Sequence, residues 1–94
     1  SEFPSSTRDL SFSIKDEQNY YELQDFISSY NDDLIKEIYI FDFFYNEKND
    51  EIKVGYRFIF QSHLKTLSDS EINKKVNEIL DPILKIDRVS IPGM

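Results

Sequence analysis

The 94 residues carry a net charge of −7, with eight Phe, six Tyr and neither Cys nor Trp. That length suits one small domain, and the missing thiols exclude disulfides, thiolate nucleophiles and cysteine metal sites, in keeping with a reducing compartment. Residues 1–51 hold 13 acids against 4 bases, while 52–94 hold 5 against 7; the acidic first half argues against non-specific nucleic-acid binding, so any RNA contact is expected to be local or to belong to a larger assembly.

Along the chain, Ser1-Glu2 read as an expression scar, and the domain is expected over residues 3–94. Pro4 to Thr7 form a polar lead-in. Leu10, Phe12 and Ile14 alternate with Asp9, Ser11 and Ser13, the period of a first strand with one dry face. Lys15 to Asn19 read as a charged connection. Asn19 as N-cap with Glu22 three residues on then opens a helix whose apolar stripe is Tyr20, Leu23, Ile27 and Tyr30. Asn31-Asp32-Asp33 ends it.

A second strand is expected from about Ile35 to Tyr45, with Ile38 and Ile40 on the dry face. Strict alternation would carry Asp42 onto that face, which is costly for an unpaired carboxylate. Either a β-bulge resets the register near Phe41, the reading favoured for an edge strand, or the strand leaves the sheet before Asp42. Asn46 to Asp50 is a polar hairpin loop. In the third strand Val54, Tyr56, Phe58 and Phe60 share the dry face, and Lys53, Gly55, Arg57, Ile59 and Gln61 the other. Leu67, Ser68, Glu71 and Ile72 read as a hydrophobic staple and capping box. They open a helix from Asp69 to about Leu80, with Ile72, Val76, Ile79, Leu80 and Ile83 inward. Pro82 is expected to kink or end it near Asp81. Val89 and Ile91 suggest a short last strand stopped by Pro92-Gly93. This order gives an α+β ferredoxin-like βαββαβ sandwich: a four-stranded antiparallel sheet with two helices on one face.

Catalysis finds little support in these residues. His63 is alone in a loop, without the partners a zinc site needs. Ser68 is explained as a cap, and the paired acids fall in turns. No apolar run is long enough to span a membrane, and no signal peptide is visible. The open face of a ferredoxin-like sheet is a common platform for unpaired bases. Here it carries Lys53, Arg57 and Gln61 beside Asp9, Ser11 and Ser13.

Three motifs then narrow the reading: Phe3-Pro4 with Arg8-Asp9-Leu10-Ser11; Ile40-Phe41-Asp42-Phe43-Phe44; and Gly55-Tyr56-Arg57-Phe58-Ile59-Phe60-Gln61-Ser62 followed by Thr66-Leu67-Ser68-Asp69 and Glu71-Ile72-Asn73. In this order and spacing the chain resembles, nearly end to end, the ferredoxin-fold anticodon-binding domain that closes the β subunit of bacterial-type phenylalanyl-tRNA synthetases. The Arg-Asp-Leu form is closer to the bacterial and plastid heterotetramers than to the monomeric mitochondrial enzyme.

The resemblance implies a non-catalytic domain that contacts the anticodon of tRNA(Phe) while aminoacylation proceeds elsewhere in the parent. It places Asp42 and Phe44 among the anticodon contacts, with Phe44 standing where the family has tyrosine. Phe44 can stack on a base and Asp42 can accept hydrogen bonds from a guanine edge. Lys53, Arg57 and Arg88 are expected in support. The implied partners are tRNA(Phe), the remainder of the β subunit and the α subunit, with no membrane. The domain itself is expected to need no cofactor, while the parent uses ATP and magnesium. The implied compartment is the bacterial cytoplasm or an organelle stroma, a plastid included. The competing reading is a protein-interaction or regulatory module on the same fold.

Overall fold

A computed structural model describes residues 2–92. Ser1, read as part of a scar, and Gly93, read as part of the final stop, lie outside the described residues. The elements are β1 (Ser6–Lys15), α1 (Glu17–Ser29), β2 (Ile35–Asn46), β3 (Glu51–Phe60), α2 (Asp69–Ile83) and β4 (Val89–Ser90). The strands form one antiparallel sheet in the order β2-β3-β1-β4. This is the expected ferredoxin-like arrangement, with β2 at one edge and β4 at the other.

The alternation of β3 dictates the two faces. Ile52, Val54, Tyr56, Phe58 and Phe60 are all buried, joined by Phe12 and Ile14 of β1. Leu23 and Ile27 of α1 and Ile72, Ile79 and Ile83 of α2 close the same core. Phe12 tilts against Tyr56 with centroids 6.2 Å apart, and Phe58 stacks on Phe60 at 6.3 Å. The Tyr56 hydroxyl donates to Gln24 Oε1 at 2.5 Å, so its burial leaves no unpaired polar group. Burial also pushes its pKa well up.

Helix α2 starts as its sequence dictates. The Glu71 amide donates to Ser68 Oγ at 3.1 Å and the Ser68 amide to Glu71 Oε1 at 3.2 Å, a complete capping box. Leu67 and Ile72, the two ends of the staple, are both buried. A hydrogen bond from Lys65, with others from the Ser68 amide and hydroxyl, holds the Glu71 carboxyl down at about 2. This depressed value contributes stability above the unfolded carboxylate range of ~4.3, and the contribution fades as pH falls from there toward 2. Ser68→Ala should cost about 1 kcal/mol at neutral pH. Lys65→Ala, which removes the largest hold on the Glu71 carboxyl, should flatten the fall in melting temperature between pH 5 and pH 2. An unchanged neutral-pH melting temperature for Ser68→Ala would contradict the cap's role.

Two helix boundaries differ from the sequence reading. Helix α1 starts at Glu17, and its cap is Asp16, whose side chain accepts from the Gln18 amide at 2.9 Å. Asn19 lies inside the helix, where its Nδ2 donates to the Lys15 carbonyl at 3.0 Å. The early start comes from tertiary pairing. The Asp16 amide donates to the Asp50 carbonyl at 3.0 Å, and Asp16 takes φ 80° to turn sharply out of the sheet. Helix α2 runs through Pro82 to Ile83. So near the C-terminus, proline forfeits one bond, to the Glu78 carbonyl, while the Leu84 amide still reaches Leu80 at 2.9 Å. The packing of Ile83 in the core outweighs that loss.

Gln61 also departs from expectation. It is buried at the end of β3, where its Nε2 donates to the Phe3 carbonyl at 2.6 Å and its amide to the Leu34 carbonyl at 2.9 Å. It ties the N-terminal lead-in to the sheet and is not part of the open face.

Candidate nucleic-acid interface

Strand β2 is an edge strand whose register slips twice, between Ile35 and Glu37 and between Ile40 and Asp42. The second slip is the bulge expected at Phe41. Before it Ile40 stands opposite Tyr56, and after it Asp42 stands opposite Gly55 and Phe44 opposite Lys53. Directly opposed residues share a face. One extra residue therefore moves Asp42 and Phe44 to the open face and returns Phe43 and Tyr45, opposite Val54 and Ile52, to the dry side.

The open face reads as rows across the sheet. Tyr39, Arg57 and Asp9 make one row; Asp42, Gly55 and Ser11 the next; Phe44, Lys53, Ser13 and Ser90 the third. Phe44 is 57 % exposed, the most open aromatic of β2. Asp42 and Lys53 are exposed, and no side-chain hydrogen bond or ion pair among the described residues engages either. The Ser13 hydroxyl beside Lys53 donates to Glu51 at 2.8 Å. A carboxylate, a free-standing ring and an ammonium thus lie within two adjacent rows, open to solvent. That set can pair with a base edge, stack on a base and neutralise a phosphate.

Arg57 shares the face but is already engaged. Its Nε and one terminal nitrogen donate to the two Asp9 oxygens at 2.8 and 2.9 Å, a bidentate fork. Hydrogen bonding to Arg57 holds the Asp9 carboxyl below its usual range, and the same fork pushes Arg57 further up. The guanidinium carbon lies 4.8 Å from the ring centroid of Phe41. Arg8 is on the dry side, 3.4 Å from Asp69. Arg88 is not brought to the others. Its carbonyl accepts from the Lys15 amide at 3.1 Å, placing it on the β4 edge. That is three strand spacings from β2, about 14 Å at ~4.8 Å each.

Two participants were missed by the sequence reading, Phe41 and Gly55. A bulged residue can share the face of the one after it, and Phe41 lies across Gly55 on the open side. A Cβ built on Gly55 would stand 2.8 Å from Phe41 Cε1 and Cζ. The signal was a lone glycine in an aromatic strand, which marks a close approach. Gly55→Ala should therefore lift the Phe41 ring and cost about 1 kcal/mol, read as shifted Phe41 ring resonances and a lower melting temperature. An unchanged ring environment would contradict the contact.

Comparison with known proteins identifies the family. A family model described as "Ferredoxin-fold anticodon binding domain" matches residues 1–88. The phenylalanine–tRNA ligase β subunit of Oceanobacillus iheyensis is 33 % identical over 88 % of the chain and 10 % of its own length. The chloroplastic β subunit of Gracilaria tenuistipitata is 34 % identical over 86 % of the chain and 12 % of its own length. The chloroplastic/mitochondrial phenylalanine–tRNA ligase of Arabidopsis thaliana is 32 % identical over 90 % of the chain and 20 % of its own length. The chain thus spans between a tenth and a fifth of these relatives.

Proposed function

The chain belongs to the ferredoxin-fold anticodon-binding domain family, and from that premise we propose that it reads the anticodon of tRNA(Phe) within a phenylalanine–tRNA ligase β subunit. The observation that carries this is the bulge at Phe41, which turns Asp42 and Phe44 onto the open face beside Lys53. In this reading Phe44 stacks on an unpaired base, Asp42 accepts from that base's edge and Lys53 meets the adjoining phosphate. Arg57 lends support on the same face, and Arg88 meets backbone phosphate at the far edge. Aminoacylation, with its ATP and magnesium, takes place in the rest of the parent, in a bacterial cytoplasm or plastid stroma. No helix among the described residues is long and apolar enough to cross a membrane.

A second reading rests on the other side of β2. Ile40, Phe43 and Tyr45 are each 39–50 % exposed there, and the Phe43 ring meets Tyr20 edge-on at 5.7 Å. Such a surface fits a protein neighbour, the remainder of the β subunit or the α subunit. Chemical-shift mapping of the chain with an RNA anticodon stem-loop separates the two. Shifts at Asp42, Phe44 and Lys53 support the anticodon reading. Shifts absent from the open face would sink it and leave the protein-interaction reading. Lys53→Ala should also reduce the slope of log affinity against log salt by about one.

A further inference from the structure

We infer that the open face seats a second base next to the one on Phe44, on a platform made by Phe41 and the guanidinium of Arg57. This rests on the anticodon reading and names a subsite within it. Phe44 belongs to the Lys53 row and Phe41 lies over Gly55, two residues further along β3. At ~3.3 Å per residue the two seats are about 6.6 Å apart. A stacked strand advances about 3.4 Å per nucleotide. The step between seats is therefore about two stacking intervals, the separation of consecutive bases that have been pulled apart from each other.

The platform is built in advance. Asp9 grips Arg57 with two bonds from its partner strand, so the planar guanidinium cannot swing freely. It sits over the Phe41 ring with its side chain still 36 % exposed. Tyr39, directly opposite Arg57 and partly exposed, borders the seat on its outer side. Unpaired bases stack on aromatic rings and on guanidinium planes alike. Asp9 already balances the charge of Arg57, so Arg57 serves as a flat surface and Lys53 as the phosphate contact.

The test is a low-salt titration of the chain with an anticodon stem-loop RNA and with versions carrying one abasic nucleotide at each anticodon position. Phe41→Leu should weaken binding of the intact RNA about tenfold, and Phe41→Tyr, which keeps a ring, should bind as the parent does. With one abasic RNA the Phe41→Leu penalty should vanish. That position should adjoin the one whose removal cancels the effect of Phe44→Leu. Arg57→Ala should weaken binding while leaving the salt slope unchanged. A Phe41→Leu penalty that is equal for every abasic RNA, or no penalty at all, overturns the second seat, because the ring then only covers Gly55. A salt slope that drops with Arg57→Ala overturns it as well, since Arg57 is then a phosphate contact. Loss of the second seat with the Phe44 pairing intact leaves the anticodon reading standing. If no abasic RNA cancels the effect of Phe44→Leu either, both fall.

Discussion

Replacing Phe58 with alanine is expected to cost about 3–5 kcal/mol of folding stability, a large fraction of the roughly 5–14 kcal/mol typical of a domain of this size. Phe58 has no solvent exposure, stacks on Phe60 and sits in β3 between β2 and β1. The cavity it leaves is walled by strand ladders on both sides, so the neighbours cannot collapse into it. A 94-residue chain also has little surplus burial to draw on. Urea unfolding checks the expectation. Phe43→Ala, at a half-exposed position on the edge strand, is the matched control and should cost about 1 kcal/mol or less. Equal losses at the two positions would mean that the core is not centred on β3.

The second large effect is functional. On the proposed anticodon reading, Phe44→Ala placed in the full ligase should lower kcat/KM for tRNA about 10- to 100-fold, the loss of one base stack. Amino-acid activation, which needs no tRNA, should be unchanged. Phe44 is open to solvent and makes no core contact, so the substitution should leave the melting temperature within a few degrees of the parent. Phe44→Tyr keeps the ring and restores the family's hydroxyl, and should bind tRNA at least as well. Parallel loss of activation and tRNA charging in the alanine variant would assign Phe44 a structural role and remove it from the site.

The two expectations show why residues so close in sequence separate so cleanly in role. Phe43 and Phe44 are neighbours on an aromatic run, and composition alone cannot tell them apart. The bulge at Phe41 does so, by sending one to the Tyr20 side and the other to the open face. That bulge was legible because Asp42 could not be left on an apolar face. Its consequence for Phe41 itself was not, because seeing it required knowing that Gly55 lies directly opposite.

Local signals in the sequence determined the order of elements, the dry face of β3, the capping box at Ser68 and the place of the register slip. Each depends on residues a few positions apart, where side-chain period and hydrogen-bond reach are fixed by backbone geometry. The Arg57–Asp9 fork joins residues 48 positions apart, and no spacing rule could choose Asp9 over another acid. The start of α1 at Glu17 depends on the Asp50 carbonyl, the passage of α2 through Pro82 on the burial of Ile83, and the distance of Arg88 from Phe44 on strand order. Those features were decided by the tertiary structure, because which distant groups meet is set by sheet register and core packing rather than by the neighbours along the chain.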